Sequence, residues 1–537
     1  MIEEQDKLLR QHLKYSWVPF FSRFGRLTPI QRLTIPKVLE GENVIISSPT
    51  ATGKTEAIMA PVAEIAKKEK WSGLSIIYIV PTRALANDSY FRIEGPLGDM
   101  GLKVIIKHGD RPYLSSTTIP NLLITTPESL DSLICRHPTI LKDLRAIIID
   151  EIHFLDNTYR GDQLRVLISR LRKLQPPNRN IFVHLLSATI SNPKEIASRY
   201  VDNFDIVIWR EKPQIEYYFV SSYGELNQLA RKKGWRKMLC FCNMREKVEE
   251  IATQLSQIWY PYPVLAHHGS LSKEKREEAE AVMKESDVAV CVATSTLELG
   301  IDIGDIECVA LLEPPWSIAS LLQRIGRGNR RTGIIQAVAH VSSKEERELL
   351  EMMFEASMKG ILPTMPYSPD LSVVVQQIFS LLYQFPEGLA EDYLLEILSS
   401  ICIHEELRLT LLQLQKEGWI EIRSGVYCAS TKLMDKGEKG KIHSNIPDAA
   451  VYSVIDVHSG KQIGRIADVF DKVFLLAGGI WKVVSVEDHI VYVKRVKGQA
   501  FSPLFYRYSL FGAFFHLLPP VLKKQQLENL KRKYEMI

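Results

Sequence analysis

The segment NVIISS, residues 43 to 48, runs straight into Ser48-Pro49-Thr50-Ala51-Thr52-Gly53-Lys54-Thr55 and then into a helical pattern. A buried strand, a tight loop ending in Gly-Lys-Thr, and a helix together aim backbone N–H groups and a helix N-terminus at phosphate oxygens. Such a unit requires a parallel sheet covered by helices on both faces, which excludes all-helical and all-β folds for this part of the chain. Lys54 is placed to neutralise β- and γ-phosphates and Thr55 to ligate magnesium, with Ser48, Thr50, Thr52 and Gly53 lining the loop. The match to GxxxxGK[ST] is incomplete, because Ser48 stands where the first glycine is usual.

The rest of the first two-thirds repeats the same alternation. SIIYIV (75 to 80), NLLITT (121 to 126), AIIID (146 to 150) and VHLLSAT (183 to 189) read as further buried strands. After a break at Arg210 to Pro213, a second set follows: KMLCFCN (237 to 243), VAVCVAT (288 to 294), CVALLE (308 to 313) and QAVAHVS (336 to 342). Two tandem α/β domains are implied, 1–211 and 212–362. Helical patterns at Leu371 to Tyr383, Asp392 to Ile403 and His404 to Lys416 then precede a hairpin turning at Ser424-Gly425, which predicts a winged helix over 363–431. Its third helix offers only Arg408 and Lys416 as bases, so a clamping role is expected rather than sequence reading. Residues 432–537 read as a small, mostly β module with a basic helical tail, KKQQLENLKRKYEMI, expected to be solvated.

Two further constellations carry chemistry. Asp150 and Glu151 end the AIIID strand, at the sheet edge where ligands of parallel sheets bind. Asp150 suits a magnesium ion and Glu151 suits a water that attacks the γ-phosphate. In the second domain, QRIGRGNRR supplies Arg327 and Arg330, three apart and on one face if helical, as positive charge for the transition state. The catalytic set expected is therefore Lys54, Glu151, Arg327 and Arg330, with ATP and Mg2+ as cofactors.

Composition decides less. With 67 basic against 63 acidic residues, the net charge of +4 permits nucleic-acid binding without arguing for it. Seven scattered cysteines show no zinc spacing, and Cys240 and Cys242 fit a buried strand. A reducing cytoplasm is the expected location. The stretch from Tyr508 to Leu522 is too short and too broken to span a bilayer, so no membrane association is expected.

The motifs in this order resemble superfamily 2 helicases of the DExH-box type, and LELGIDIGDIE followed by LLQRIGRGNRR resembles their Lhr-type (large helicase-related) group. The resemblance spans roughly residues 20 to 500 and implies two tandem RecA-like P-loop domains, followed by the winged helix and the β module. Phe24 and Gln31 resemble the adenine-reading Q motif. Arg83 in PTRALA and Thr126 in TTPE resemble motifs Ia and Ib, and Thr294 lies in a motif V-like segment. All three are expected on the nucleic-acid backbone. Gly300 and Asp302 are expected to face the nucleotide. His153, Ser187, Thr189 and Gln323 fall where the family couples nucleotide to strand.

By resemblance the chain is expected to hydrolyse ATP between the two RecA-like domains and to move 3′ to 5′ on single-stranded DNA, unwinding DNA or RNA:DNA duplexes in repair. An RNA helicase or RNP remodeller, and an ATP-switched nucleic-acid clamp within a larger complex, remain open as alternatives. Trp481, Phe505, Tyr506 and Tyr508 are read as packing residues ahead of base-stacking ones.

Overall fold

The structure is a computed structural model and describes residues 2–49, 52–109, 119–188, 190–210, 214–298, 303–328, 333–362, 366–447, 452–467, 473–487, 489–496 and 511–535. Thr50, Thr189, Gly300, Asp302, Arg330, Phe505, Tyr506 and Tyr508 lie outside the described residues. The chain divides into two compact units: Met1–Arg210 with Thr364–Pro447 and Ser509–Ile537, and Glu211–Pro363 with Asp448–Tyr508.

The first unit is built on seven strands: β1 (Val44–Ser47), β2 (Ile76–Ile79), β3 (Val104–Lys107), β4 (Leu122–Thr125), β5 (Ala146–Ile149), β6 (Phe182–Ser187) and β7 (Asp205–Ile208). They form one sheet in the order β3-β4-β2-β5-β6-β1-β7 with parallel pairings throughout. Alternate residues feed the two faces, as strand geometry dictates. Ile46, Tyr78 and Ile148 belong to one core, while Ile45, Ile77 and Ile149 belong to the other. Because both faces are covered, β1, β2, β4 and β5 are continuous apolar runs, buried at every position.

The second unit repeats the plan with β8 (Gln214–Val220), β9 (Lys237–Phe241), β10 (Val264–His267), β11 (Ala289–Ala293), β12 (Cys308–Leu311) and β13 (Ile334–His340), ordered β10-β11-β9-β12-β13-β8. All of these pairings are parallel as well. Cys240, Cys242, Cys291 and Cys308 are buried here, and burial pushes each thiol up from its usual value, so they act as small apolar residues.

Residues after the second sheet return to the first unit as helices Ser372–Gln384, Glu391–Leu398 and His404–Lys416, followed by the antiparallel pair β14 (Ile420–Arg423) and β15 (Val426–Ala429). The hairpin turns at Ser424 (φ 49°) and Gly425 (φ 82°), where two successive left-handed residues match the twist of the flanking strands. This is the three-helix and wing arrangement anticipated. Helix Ser372–Gln384 is buried on nearly every side, and its apolar residues share one core with Val166 and with Phe514, Leu517, Leu518 and Leu522. The expected solvated tail does form a helix, Pro520–Glu535, but it docks onto this unit: Leu522 and Gln526 are buried, and Gln526 Oε1 accepts from the Leu371 N–H at 3.4 Å. The apolar stretch before it, which seats Phe514 to Leu518 in the core, supplies the anchorage that charge counting alone overlooks.

A buried polar lock joins the returning helices to the first sheet domain. Asp131 Oδ1 accepts from Arg170 Nη1 (2.7 Å) and Ser380 Oγ (2.6 Å), and its Oδ2 accepts from Gln376 Nε2 (2.6 Å). Arg170 also donates to Gln377 and Gln384 at 2.9 and 2.7 Å.

The remaining strands, β16 (Tyr452–Asp456), β17 (Gln462–Ile466), β18 (Val473–Leu476), β19 (Gly479–Glu487) and β20 (Ile490–Val496), make a mixed sheet in the order β17-β16-β20-β19-β18 within the second unit. Only β16 and β20 pair in parallel. Its inner face, with Val454, Phe474, Trp481, Val491 and Val493, closes over Leu271. Trp481 is buried with its indole N–H donating to Leu476 O at 2.7 Å, which is the packing role expected of it. Glu249 fastens the β18–β19 turn: its fully buried carboxylate accepts from the N–H groups of Ala477 and Gly478 (2.7 and 2.8 Å) and from His268 Nε2 (2.8 Å). No helix of the described residues is long and apolar enough to cross a membrane.

Candidate functional site

The loop after β1 and the ends of β2, β5 and β6 meet at the C-terminal edge of the first sheet, since β2 neighbours β5, β5 neighbours β6 and β6 neighbours β1. Gly53 is the N-cap of helix Lys54–Lys68 and sits at φ 86°, a left-handed conformation; a Cβ there would lie 2.4 Å from Gln31 Nε2. Both constraints select glycine. Lys54 Nζ donates to the Ser48 and Pro49 carbonyls at 2.9 Å each, and Ser48 Oγ lies 2.8 Å from Thr52 Oγ1, so the loop is braced by its own side chains. Ser48 thus serves as a hydroxyl brace at the position where the usual pattern has glycine.

Gln31 reaches the same loop. It completes a capping box with Thr28 at the start of helix Pro29–Leu39, and its Nε2 donates to Gly53 O at 3.3 Å. Phe24 is 56% exposed, with the Arg23 guanidinium over its ring at 4.5 Å.

Asp150 follows β5 and is buried. Its Oδ2 accepts the Tyr78 hydroxyl at 2.5 Å and its Oδ1 accepts the Glu151 N–H at 2.9 Å. Burial, and then the charge of Glu151, push the Asp150 carboxyl up to about 6. Glu151 adopts a left-handed backbone (φ 46°), and its buried Oε2 accepts no hydrogen bond, lying 3.5 Å from His153 Nδ1. A hydroxyl at Thr55 and the two carboxylates form a hard-oxygen donor set, which fits a divalent cation of the magnesium type. His153 Nδ1 lies 3.0 Å from Ser187 Oγ, and burial with the nearby Lys54 charge pulls the imidazole down to about 3. Two of the four expected coupling residues are thereby in contact.

Of the expected strand-facing residues in this unit, Arg83 starts helix Arg83–Asp99 and is exposed, while Thr126 is the N-cap of helix Pro127–Arg136 and is buried. Sequence reading missed what links them. Arg160 donates twice to Glu128, at 2.5 and 3.0 Å, and also to Pro81 O, tying the segment before Arg83 to the segment after Thr126.

In the second unit Thr294 is buried, with its N–H donating to His267 O at 3.2 Å, and Gln323 lies on helix Ile318–Ile325. That helix ends before Arg327, so the helical-face premise for Arg327 and Arg330 does not hold: Gly326 is the C-cap. Arg327 is buried and donates to Glu298 O at 2.5 Å. Arg324, unremarked in the sequence, is the more deeply buried of the two, paired with Glu298 Oε1 at 2.6 Å and lying over the Phe241 ring.

Comparisons with known proteins agree with this geometry. The DEAD/DEAH box helicase family matches residues 28–196 and the helicase conserved C-terminal domain matches 221–332. The ATP-dependent helicase Lhr-Core of Saccharolobus solfataricus is 28% identical over 99% of this chain and 69% of its own length. The Lhr-Core of Methanocaldococcus jannaschii is 33% identical over 61% of this chain, which spans 43% of that protein. Among solved structures, the DUF1998 helicase MrfA bound to DNA superposes with TM-score 0.72 at 22% identity, covering 91% of this chain and 69% of its own. Mycobacterium smegmatis helicase Lhr bound to ssDNA and AMP-PNP gives 0.70 at 24%, covering 81% and 62%. With the two matched segments falling one on each parallel sheet and the Lhr-Core likeness running almost end to end, the chain belongs to the DEAD/DEAH box helicases of superfamily 2 and is Lhr-Core-like over most of its length.

Proposed function

We propose that this chain uses ATP hydrolysis to move 3′ to 5′ along single-stranded DNA and to unwind DNA or RNA:DNA duplexes, in the service of DNA repair. The observation that carries this reading is the convergence of Lys54, Thr55, Asp150 and Glu151 at one sheet edge, with Ser187 against His153 beside them. Lys54 and the loop N–H groups bind the triphosphate, and Thr55 and Asp150 hold magnesium, which when bound would offset phosphate charge. Glu151, with an uncommitted buried oxygen, orients the attacking water. Arg327 and Arg330 supply further positive charge to the γ-phosphate.

Arg83, Thr126 and Thr294 hold the strand through its backbone, which makes binding indifferent to sequence. The choice of DNA is supported by the two structural neighbours, MrfA bound to DNA and Mycobacterium smegmatis Lhr bound to ssDNA. The test is ATP hydrolysis by the full chain alone, with single-stranded DNA, and with single-stranded RNA, beside Glu151→Gln. Stimulation by DNA that vanishes in the variant is expected. Stimulation mainly by RNA overturns the substrate, and none by either overturns the motor.

A further inference from the structure

One short segment of the first unit touches both groups read above as magnesium ligands, by two separate routes. Strand β2 carries Tyr78, whose hydroxyl donates to Asp150 Oδ2 at 2.5 Å in a fully buried setting. Three residues later the same strand has become Pro81-Thr82, where the Thr82 hydroxyl caps helix Arg83–Asp99 by accepting from the Leu85 N–H at 3.2 Å. Further along that helix Arg92 returns to the site: its Nη1 donates to Thr55 Oγ1 at 3.2 Å, while its Nη2 is held by Asp88 Oδ2 at 2.7 Å, one turn back on the same helix. The guanidinium is therefore oriented from its own helix, and 39% of the side chain is exposed, so it is not simply core packing.

Both routes are short. From Tyr78 to Thr82 an extended chain covers about 13 Å, and from Arg83 to Arg92 a helix covers about 14 Å. Only Val80, Pro81 and Thr82 lie between the end of β2 at Ile79 and the start of the helix at Arg83. A small displacement of Pro81-Thr82-Arg83 thus reaches Asp150 through the strand and Thr55 through the helix. The Pro81 carbonyl is in turn bonded to Arg160, which also grips Glu128, so the segment is supported from the side facing Thr126 as well.

We infer that Tyr78 and Arg92 are positioning residues that convey the engagement of the Pro81–Ala86 segment with a nucleic-acid backbone to the magnesium-binding pair Thr55 and Asp150. The inference rests on the function proposed above. Tyr78 holds Asp150 by Oδ2, while Oδ1 accepts the Glu151 N–H. Arg92 occupies one acceptor position of Thr55 Oγ1 and leaves the other lone pair for a cation.

The test uses the full chain and reads metal binding apart from turnover. Manganese binding to the protein–ADP complex is followed by electron paramagnetic resonance with and without an oligo(dT) strand, for wild type, Tyr78→Phe, Arg92→Gln and Arg92→Lys. Wild type is expected to bind manganese more tightly when the strand is present. Tyr78→Phe and Arg92→Gln are expected to bind metal about five- to tenfold more weakly, as for one ordinary lost hydrogen bond, and to lose the response to the strand. Metal-free ADP affinity and melting temperature should stay unchanged, and Arg92→Lys should restore part of the response. Variants that keep the wild-type response overturn the inference. Wild type that binds ADP and the strand without any coupling also overturns it, yet leaves the proposed function standing, whereas failure to bind either ligand overturns both.

Discussion

His153 Nδ1 lies 3.0 Å from Ser187 Oγ, bridging the loop after β5 to the end of β6. The imidazole is kept neutral by burial and by Lys54, so this contact is a neutral hydrogen bond rather than an ion pair. Ser187→Ala leaves a buried ring nitrogen without its partner, at a cost of about 1–3 kcal/mol. The expected outcome is retained ATP hydrolysis with strand separation reduced at least tenfold, measured by comparing ATPase and fluorescent unwinding assays on one preparation.

Gly53→Ala meets two obstacles at once, a left-handed backbone and a Cβ 2.4 Å from Gln31 Nε2. Nucleotide binding should fall by an order of magnitude or more while the circular dichroism spectrum is unchanged, because the strain is confined to the loop. Titration with a fluorescent ATP analogue checks this.

Asp131 and Arg170 are 0% and 3% exposed. Asp131→Ala strands a buried guanidinium, which costs about 3–5 kcal/mol. Urea unfolding should show the first unit melting earlier, with the second unit unaffected.

His443 lies 3.8 Å from Asp131 Oδ2, an ion pair without a hydrogen bond. Burial pulls its pKa down, but Asp131 and Cys135 outweigh that and hold it at about 9, against 6.5 for an ordinary histidine. The folded protein binds this proton more tightly than the unfolded chain, so the stabilisation is fully present below pH 6.5 and is lost as pH rises through about 9. Thermal midpoints between pH 6 and 10 should fall across that window, and His443→Gln should flatten the fall.

Glu249 receives three donors from His268, Ala477 and Gly478. In Glu249→Ala the amides of Ala477 and Gly478 should exchange with deuterium far faster, while the amides of β9, β11 and β12 keep their protection. Equal protection in the variant would show that the carboxylate is not what fastens the turn.

The strands anticipated from sequence are interior ones, and the four that were not anticipated are the four sheet edges: β3 and β7 in one sheet, β10 and β8 in the other. An interior strand of a doubly covered sheet is apolar throughout, whereas an edge strand such as DIVI, residues 205 to 208, buries only Val207. The phosphate loop, the Asp150-Glu151 pair and the Ser187-Ala188 step were legible because each joins an interior strand. Tyr78 was legible only as a strand residue, since its partner Asp150 lies 72 positions away. The same holds for Asp131, Arg170 and His443, which no local pattern connects. The helix that would put Arg327 and Arg330 on one face ends two residues before Arg327, because Gly326 closes it.

The core that holds Val166 and helix Ser372–Gln384 also holds Phe514, Leu517, Leu518 and Leu522. During synthesis, therefore, the unit whose sheet emerges first from the ribosome is completed only after the whole of the second unit has been translated. At ordinary elongation rates residues 448–508 alone delay that closure by on the order of several seconds. Through that interval the Val, Ile, Phe and Leu side chains of helix Ser372–Gln384 wait for the cover that Phe514, Leu517, Leu518 and Leu522 provide in the finished fold.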